Sequence, residues 1–373
     1  MVKKRKISES ESGSGTGTSS SKAKNTTTTD KKFRERLWEN GVRFEHPYAE
    51  PPEDRGEVKK SLNKDRDSQS ADEDDYGEYL DEIAQADNED TVTTNVWPLL
   101  AKKPRNQNLF GYNQNTNFQW TEVESAITMN ISDPKPDISE SFRHNQYPPE
   151  AVDALGPALA PTLYSAAMPK FCVELKGPDG LMPSAMKQAA YDGAVMVDAA
   201  WKAHQFMSKH PDEFLGNTQA LTVAANGSYL HIYANHAILG PKNGTKHATA
   251  SGSIAYPTKL QYHQFPLKGV LPSESLEEFK KARKTVRNAQ DWAREKATES
   301  KVALCAHIDA MRTATAAVVA AADDPTRADE AAGTDVPAGE GEAPAAAATS
   351  TPVLATKLTP PKSVTGNRRY RKR

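Results

Sequence analysis

Two carboxylates and a lysine, brought together at the end of one strand, could grip a hard cation and a phosphate. The sequence offers them as Asp137 in Lys135-Pro136-Asp137-Ile138, and as Glu174 and Lys176 in Phe171-Cys172-Val173-Glu174-Leu175-Lys176, closed by Gly177-Pro178. Read as a β-strand, the second run alternates faces. Phe171, Val173 and Leu175 then point into a core, and Cys172, Glu174 and Lys176 point the other way. Carboxylate oxygens suit Mg²⁺, and a phosphodiester needs its charge clamped. Glu-x-Lys at a strand end is also a common solvated pair, and Pro-Asp a common turn, so the chemistry requires that the fold bring these groups together.

Other candidates are weaker. His231 and His236 lie five residues apart, on opposite faces of a strand, and His204 and His210 lie six apart, poorly matched to one helical face. None has metal-ligand spacing, so surface or satisfied histidines are expected. Cys172 shares a face with Glu174, which disfavours its thiolate. The sequence carries no Walker loop, nucleophile elbow or kinase signature.

The elements that must position Asp137, Glu174 and Lys176 are partly readable. Phe33, Leu37 and Trp38 have helical spacing before Asn40-Gly41, and a short helix docked on the main body would explain Trp38. Residues 47–75 read as a Pro- and Asp-rich linker. Tyr79, Ile83, Val92, Val96, Leu99 and Leu100 keep helical spacing, with a kink or new start at Pro98. Residues 120–131 are ambiguous between strand and helix. Asp137–Glu140 reads as a short strand, and 145–169 as a long connection with at most one short helix, Glu150–Leu155. A strong helix is expected from Ala185 to about Ser208.

Two alternating runs, Gln219–Ala225 and Ser228–His236, joined by Asn226-Gly227, are the clearest hairpin signal. Lys259–Phe265 adds a further strand. Ser275-Leu276-Glu277-Glu278 reads as a capping box that opens a long helix, with Phe279, Ala282, Val286, Ala289 and Ala293 on one face and an end near Met311.

Composition limits the alternatives. The 373 residues are 37% hydrophobic, 7% aromatic and 26% charged, with net charge -2, and the apolar residues are unevenly spread. One α/β domain over 76–311 follows, with a mixed central sheet flanked by helices. It is preceded by a disordered Ser/Thr-rich tail (1–30) and the helix-plus-linker segment 31–75, and followed by a disordered Ala/Pro-rich tail (312–373). Two cysteines, Cys172 and Cys305, give no disulfide or zinc framework and suit a reducing compartment. No secretion signal or bilayer-spanning run is expected, so the expectation is a soluble intracellular protein with no membrane partner. Basic clusters at Lys3–Lys6 and Arg368–Arg373 point to the nuclear import machinery as a partner and to nuclear localisation. They could also grip phosphates.

The order helix, strand, strand with Glu-x-Lys, helix, hairpin resembles the core of PD-(D/E)xK, restriction-endonuclease-like nucleases. The resemblance implies Asp137 and Glu174 as Mg²⁺ ligands and Lys176 as the catalytic lysine, with the Leu175 carbonyl as a further ligand. It implies Glu89, ahead of Val92–Leu100, as a helix-borne metal ligand. Gln188-Ala189-Ala190-Tyr191 is one residue short of the Gln-x-x-x-Tyr motif of some members, so only Gln188 carries over. The gap from Asp137 to Glu174 is longer than the pattern. Lys135–Asp137, Phe171–Lys176, Ser228–His236 and Val286–Ala293 also resemble an uncharacterised fungal domain of unknown function, over roughly 76–310. The fungal resemblance supports the fold more than the function; the nuclease resemblance implies a Mg²⁺-dependent phosphodiesterase acting on DNA or RNA. The rival is a non-catalytic nuclear interaction module on a degenerate nuclease scaffold.

Overall fold

Alternation and β-branching in the middle of the chain predict paired strands, and the strands that form join into one mixed sheet. The computed structural model describes residues 25–67, 70–102, 111–121, 123, 125–159, 166–240 and 260–322. In chain order the elements are α1 (Phe33–Glu39), β1 (Val42–Arg43), α2 (Arg55–Asn63), α3 (Glu73–Gln85) and α4 (Glu89–Thr91). The last passes through a π turn, Val92–Val96, into α5 (Trp97–Leu100). There follow β2 (Tyr112–Thr116), β3 (Ile138–Arg143), α6 (Pro149–Leu155), β4 (Ala166–Leu175) and α7 (Met182–Phe206). The series ends with β5 (Ala220–Ala225), β6 (Leu230–Leu239), β7 (Leu260–Val270) and α8 (Leu276–Ala322).

The sheet order is β1-β7-β6-β5-β4-β3-β2. β4 and β5 run parallel, with α7 as the crossover between them, and β1 runs parallel to β7. The other neighbours are antiparallel. Period-two alternation of β4 divides the core as the sequence predicts. Phe171, Val173 and Leu175 join Phe279, Ala282, Val286, Ala289 and Ala293 of α8 on one face. Cys172 packs with Ala190, Tyr191 and Ala194 of α7 on the other. Ser275 starts α8 as expected, its hydroxyl accepting from the Glu278 N–H at 3.2 Å.

The β5–β6 hairpin forms, but its tip is displaced by one residue from the Asn-Gly reading. Asn226 donates its N–H to the Tyr229 carbonyl at 3.1 Å, so Gly227 and Ser228 are the two central residues. Gly227 has φ +82, as the first central position of a II′ turn demands. The Asn226 side chain accepts from the Tyr229 N–H at 3.0 Å.

Several expectations need correction. Residues 47–75 are not a plain linker: α2 lies within them and buries Val58 and Leu62 in the α8-side core. The tail expected over 1–30 is ordered from residue 25: Thr26 forms a parallel bridge to Ile131, its N–H donating to the Asn130 carbonyl and its carbonyl accepting from the Ser132 N–H, both at 2.9 Å. Helix α8 runs to Ala322, past the domain end expected at 311 and into the tail expected over 312–373. The remaining parts of both tails, with their basic clusters, lie outside the described residues. The described residues among 120–131 form neither strand nor α-helix; the regular element there is one 3₁₀ turn, Ala126–Thr128. By length and composition, one stretch of α8 is apolar enough to cross a membrane, a property shared by core helices of soluble proteins; upstream, Phe279 through Leu304 supply core residues. Contacts divide the chain into units Met1–Ala317 and Val318–Arg373; the sheet belongs to the first.

Helix α1 docks through Phe33 and Leu37, both fully buried, whereas Trp38 is 41% exposed. Phe33 meets Tyr191 of α7 edge-on at 5.8 Å. Phe33→Ala should therefore destabilise the protein by about 3 kcal/mol, read as a lower denaturant midpoint at unchanged m-value. Trp38→Ala should leave that midpoint almost unmoved.

Candidate functional site

Asp137 stands one residue ahead of β3. Because Ile138 pairs with Val173 in an antiparallel ladder, Asp137 falls opposite Glu174 and shares its face. The long sequence gap between the two is a connection that carries α6, looped out between neighbouring strands. Asp137 is buried, and its Oδ2 accepts from the Leu175 N–H at 2.6 Å. Glu174 is buried on the α7 side, and Lys176 follows on the same side of the chain end.

Glu89 reaches this point from the opposite layer. Asn88 caps α4 by accepting from the Thr91 N–H at 2.9 Å, which sets the first turn. The backbone of Asn88 and Glu89 then approaches Gly177 so closely that a Cβ there would stand 3.2 Å from the Asn88 carbonyl carbon. Lys176 Nζ meets Glu89 Oε2 at 2.8 Å and the Leu175 carbonyl at 2.6 Å. The carbonyl that the sequence offered as a metal ligand thus accepts from the lysine. Gly180 lies against the lysine stem, where a Cβ would be 2.5 Å from Lys176 Cβ.

The fourth carboxylate was missed by sequence reasoning. Asp192 of α7 is buried and hydrogen-bonds Glu174, and its Oδ2 lies 3.9 Å from Cys172 Sγ. The available signal was an aspartate inside the apolar run Ala189–Val197, four residues after Gln188 and so on the same helical face. Gln188 itself turns elsewhere: its amide contacts Thr28 Oγ1 at 3.5 Å. Glu89, Asp137, Glu174 and Lys176 are brought together; Gln188 does not join them through any contact found.

Electrostatics follow from burial and crowding. Desolvation pushes Asp137 up to about 7; the Leu175 N–H opposes the shift, and Glu89 adds to it. Burial likewise raises Asp192 to about 7. Glu174 lies well above the usual carboxylate range through burial, then the charges of Asp192 and Asp137. Burial first, and then Asp192, Glu174 and Asp137, hold the Cys172 thiol protonated, which agrees with its dismissal as a nucleophile. Like charges packed this tightly favour a bound proton or a cation.

The donors do not form an all-protein metal cage. Among the described residues, no group of three or more His, Cys, Asp or Glu side chains is arranged to hold a metal ion. Mg²⁺ commonly takes one or two carboxylates plus waters and substrate phosphate. Asp137 and Glu174 are the two carboxylates that the β3–β4 ladder sets side by side.

Elsewhere, polar residues act as structural ties. His231 and His236 do fall on opposite faces. His231 bonds the Tyr229 and Tyr233 hydroxyls at 2.6 and 2.9 Å, and His204 Nε2 lies 2.9 Å from the His210 carbonyl. In the stretch 286–293 of α8, Gln290 donates to Glu140 Oε1 at 2.7 Å and accepts from the Lys102 N–H at 2.8 Å. Asn288 donates to the Leu62 and Lys64 carbonyls at 3.1 and 2.7 Å. Trp292 is core, as expected. This motif clasps α2, β3 and the end of α5 to α8.

Fold and site together define an α/β protein with a buried acidic cluster and a lysine at the end of its central strands. Over residues 78–300 the chain matches the model of a family described as a domain of unknown function (DUF7924). That span is more than half the chain, and the chain belongs to this family. No curated protein and no solved structure matches it.

Proposed function

We propose that this chain carries a PD-(D/E)xK-like nuclease site and hydrolyses phosphodiester bonds of DNA or RNA with Mg²⁺. The observation that supports this reading is the convergence of Glu89, Asp137, Glu174 and Asp192 on Lys176 at the end of β4. Asp137 and Glu174 would hold the cation, which when bound would activate water and neutralise phosphate charge. Lys176 supplies a fixed positive charge where negative charge grows in the transition state. Glu89 orients the ammonium, and the Leu175 N–H fixes Asp137. Asp192 keeps Glu174 oriented.

Wild-type protein incubated with single- and double-stranded DNA and RNA should cleave at least one of them with Mg²⁺ and none with EDTA. The Asp137→Asn variant should be inactive. Absence of cleavage on every substrate would reject the enzyme. The non-catalytic binding module has one observation in its favour, the lack of a three-ligand metal group among the described residues. Thermal unfolding separates the two. At about ten times its Kd, Mg²⁺ should stabilise the wild type by about 1.4 kcal/mol and leave Glu174→Gln unmoved. A binding module would leave the wild type unmoved by Mg²⁺ as well.

Nuclear residence, through the import machinery acting on Lys3–Lys6 and Arg368–Arg373, belongs to the same proposal. Deleting both clusters from a fluorescent fusion should move it to the cytoplasm; retention in the nucleus would refute the import role.

A further inference from the structure

The register of the sheet carries the row of Glu174 beyond the acidic cluster. Glu174 pairs with Ala224 of β5, Ala224 with His231 of β6, and His231 with Gly269 of β7. Directly paired residues share a face, so His231 lies on the same face as Glu174 with only an alanine between them. One residue nearer the strand ends, the Lys176 N–H donates to the Ala225 carbonyl at 2.8 Å and the Asn226 N–H to the Tyr229 carbonyl at 3.1 Å. Lys176 and Tyr229 are therefore two ends of the next row. Neighbouring strands lie about 4.8 Å apart, which sets the backbone of Tyr229 about 10 Å from that of Lys176.

Along β6, period-two alternation puts Tyr229, His231 and Tyr233 on this face as a ladder. The ring centroid of His231 is 4.6 Å from that of Tyr229 and 5.6 Å from that of Tyr233. Tyr233, the inner rung, is buried and clusters with Ala185 and Ala189 of α7. Gly269 makes room for the middle rung: a Cβ there would stand 2.6 Å from His231 Nε2. Tyr229, the outer rung, is half-buried, and among the described residues its one ring neighbour is His231. Its hydroxyl is tied back to His231 Nε2 at 2.6 Å, so the ring is oriented in advance and has little freedom left to lose on binding. We propose that the outer face of Tyr229 is a stacking platform for an unpaired base of the strand whose phosphate lies at Asp137, Glu174 and Lys176, so that the site takes single-stranded DNA or RNA. Nucleic acid as the occupant rests on the nuclease reading. The reach fits: about 10 Å is at most about three nucleotide steps at the duplex rise of about 3.4 Å per strand step, and fewer in an extended strand. A base stacks on a side chain once it is splayed from its neighbours, which a duplex prevents. Stacking accepts every base, so the platform selects single strands and not a sequence.

The test uses the full chain with labelled single strands of DNA and of RNA, of mixed sequence, beside the corresponding duplexes. Binding is read by anisotropy in EDTA, and cleavage in Mg²⁺. Single strands should bind more tightly than duplexes. Tyr229→Ala should weaken single-strand binding about tenfold and leave duplex binding unchanged. It should raise KM by a similar factor at nearly unchanged kcat, because the contact holds ground state and transition state alike. Tyr229→Phe keeps the ring and should stay within about twofold of wild type. An abasic site moved along the strand should find one position that costs the wild type about tenfold and Tyr229→Ala nothing further, a coupling that a merely structural tyrosine would not show. Melting curves superimposable on wild type confirm folded variants, and Tyr229→Leu, which keeps apolar bulk, takes over if the alanine variant melts early. No binding of single strands, duplexes bound as tightly, an unaffected Tyr229→Ala variant, or an abasic loss of equal size in variant and wild type would overturn the platform. Absence of cleavage with Tyr229-dependent binding intact would reject the nuclease reading and leave the platform standing. Cleavage of single strands by Tyr229→Ala at wild-type KM would do the reverse.

Discussion

Replacing Lys176 with methionine should lower metal-dependent cleavage by about 10²- to 10³-fold while leaving the fold intact. The lysine stem packs against Gly180, and methionine keeps most of that apolar contact while removing the ammonium. The ammonium is the charge facing Glu89 at 2.8 Å, and it lowers the proton affinity of Asp137, Glu174 and Asp192. Its loss therefore acts twice, on the transition state and on the carboxylates. With the cation lost, the carboxylates hold their protons to higher pH. The activity of the variant should then rise with pH later than that of the wild type. A Lys176→Met enzyme with wild-type rate and an unshifted pH profile would remove Lys176 from the site.

Asp192→Asn should stabilise the metal-free protein at pH 8 by about 2 kcal/mol, a rise in Tm on the order of 3 °C, and by only about a third as much at pH 5. The folded Asp192 binds its proton up to about pH 7, whereas an unfolded aspartate releases it near pH 3.9. Between these values the native state holds more protons than the unfolded state, so stability falls as pH rises. The penalty is absent below the unfolded value and complete above pH 7. Shared interaction with Glu174 keeps the gain below the roughly 4 kcal/mol that three units would imply. His236 and His263, buried on the α8 side with ring centroids 5.4 Å apart, act in the opposite sense. Burial lowers them to about 4 and about 3, so their contribution is lost on acidification below about pH 6.5. Comparing variant with wild type at the same pH cancels it. Equal shifts in Tm at pH 5 and pH 8 would refute the buried-charge account.

The central part of this arrangement could be read from the chain because period-two alternation in β4 and the Asn-Gly turn are local signals. A carboxylate-lysine pair on one face of Phe171–Lys176 follows from the pleat alone. Asp192 does not, because an acid within a helix looks the same whether it meets solvent or a second carboxylate; only the seating of α7 on β4 decides. Strand β2, with Tyr112-Asn113-Gln114-Asn115-Thr116, has no apolar alternation, and β1 has only two residues. Both are defined by their partners. Helix α2 was hidden because its two buried apolar residues, Val58 and Leu62, sit in a polar stretch.

Strand β1 bears on how this family should be handled at the bench. The family match begins at residue 78, but Val42 and Arg43 pair with Tyr262 and His263 of β7, and the Glu50 N–H donates to His263 Nδ1 at 2.9 Å. A fragment cut to 78–300 would uncover β7 at Tyr262 and His263, where β1 pairs with it. It would also strip α1 and α2 from the two cores they cover. Unpaired strand rims recruit other chains, so such a fragment should precipitate even though it keeps all four carboxylates and the lysine. The boundary drawn by sequence similarity and the boundary drawn by folding are different lines here, and the inherited segment depends on a neighbour that the family description leaves out.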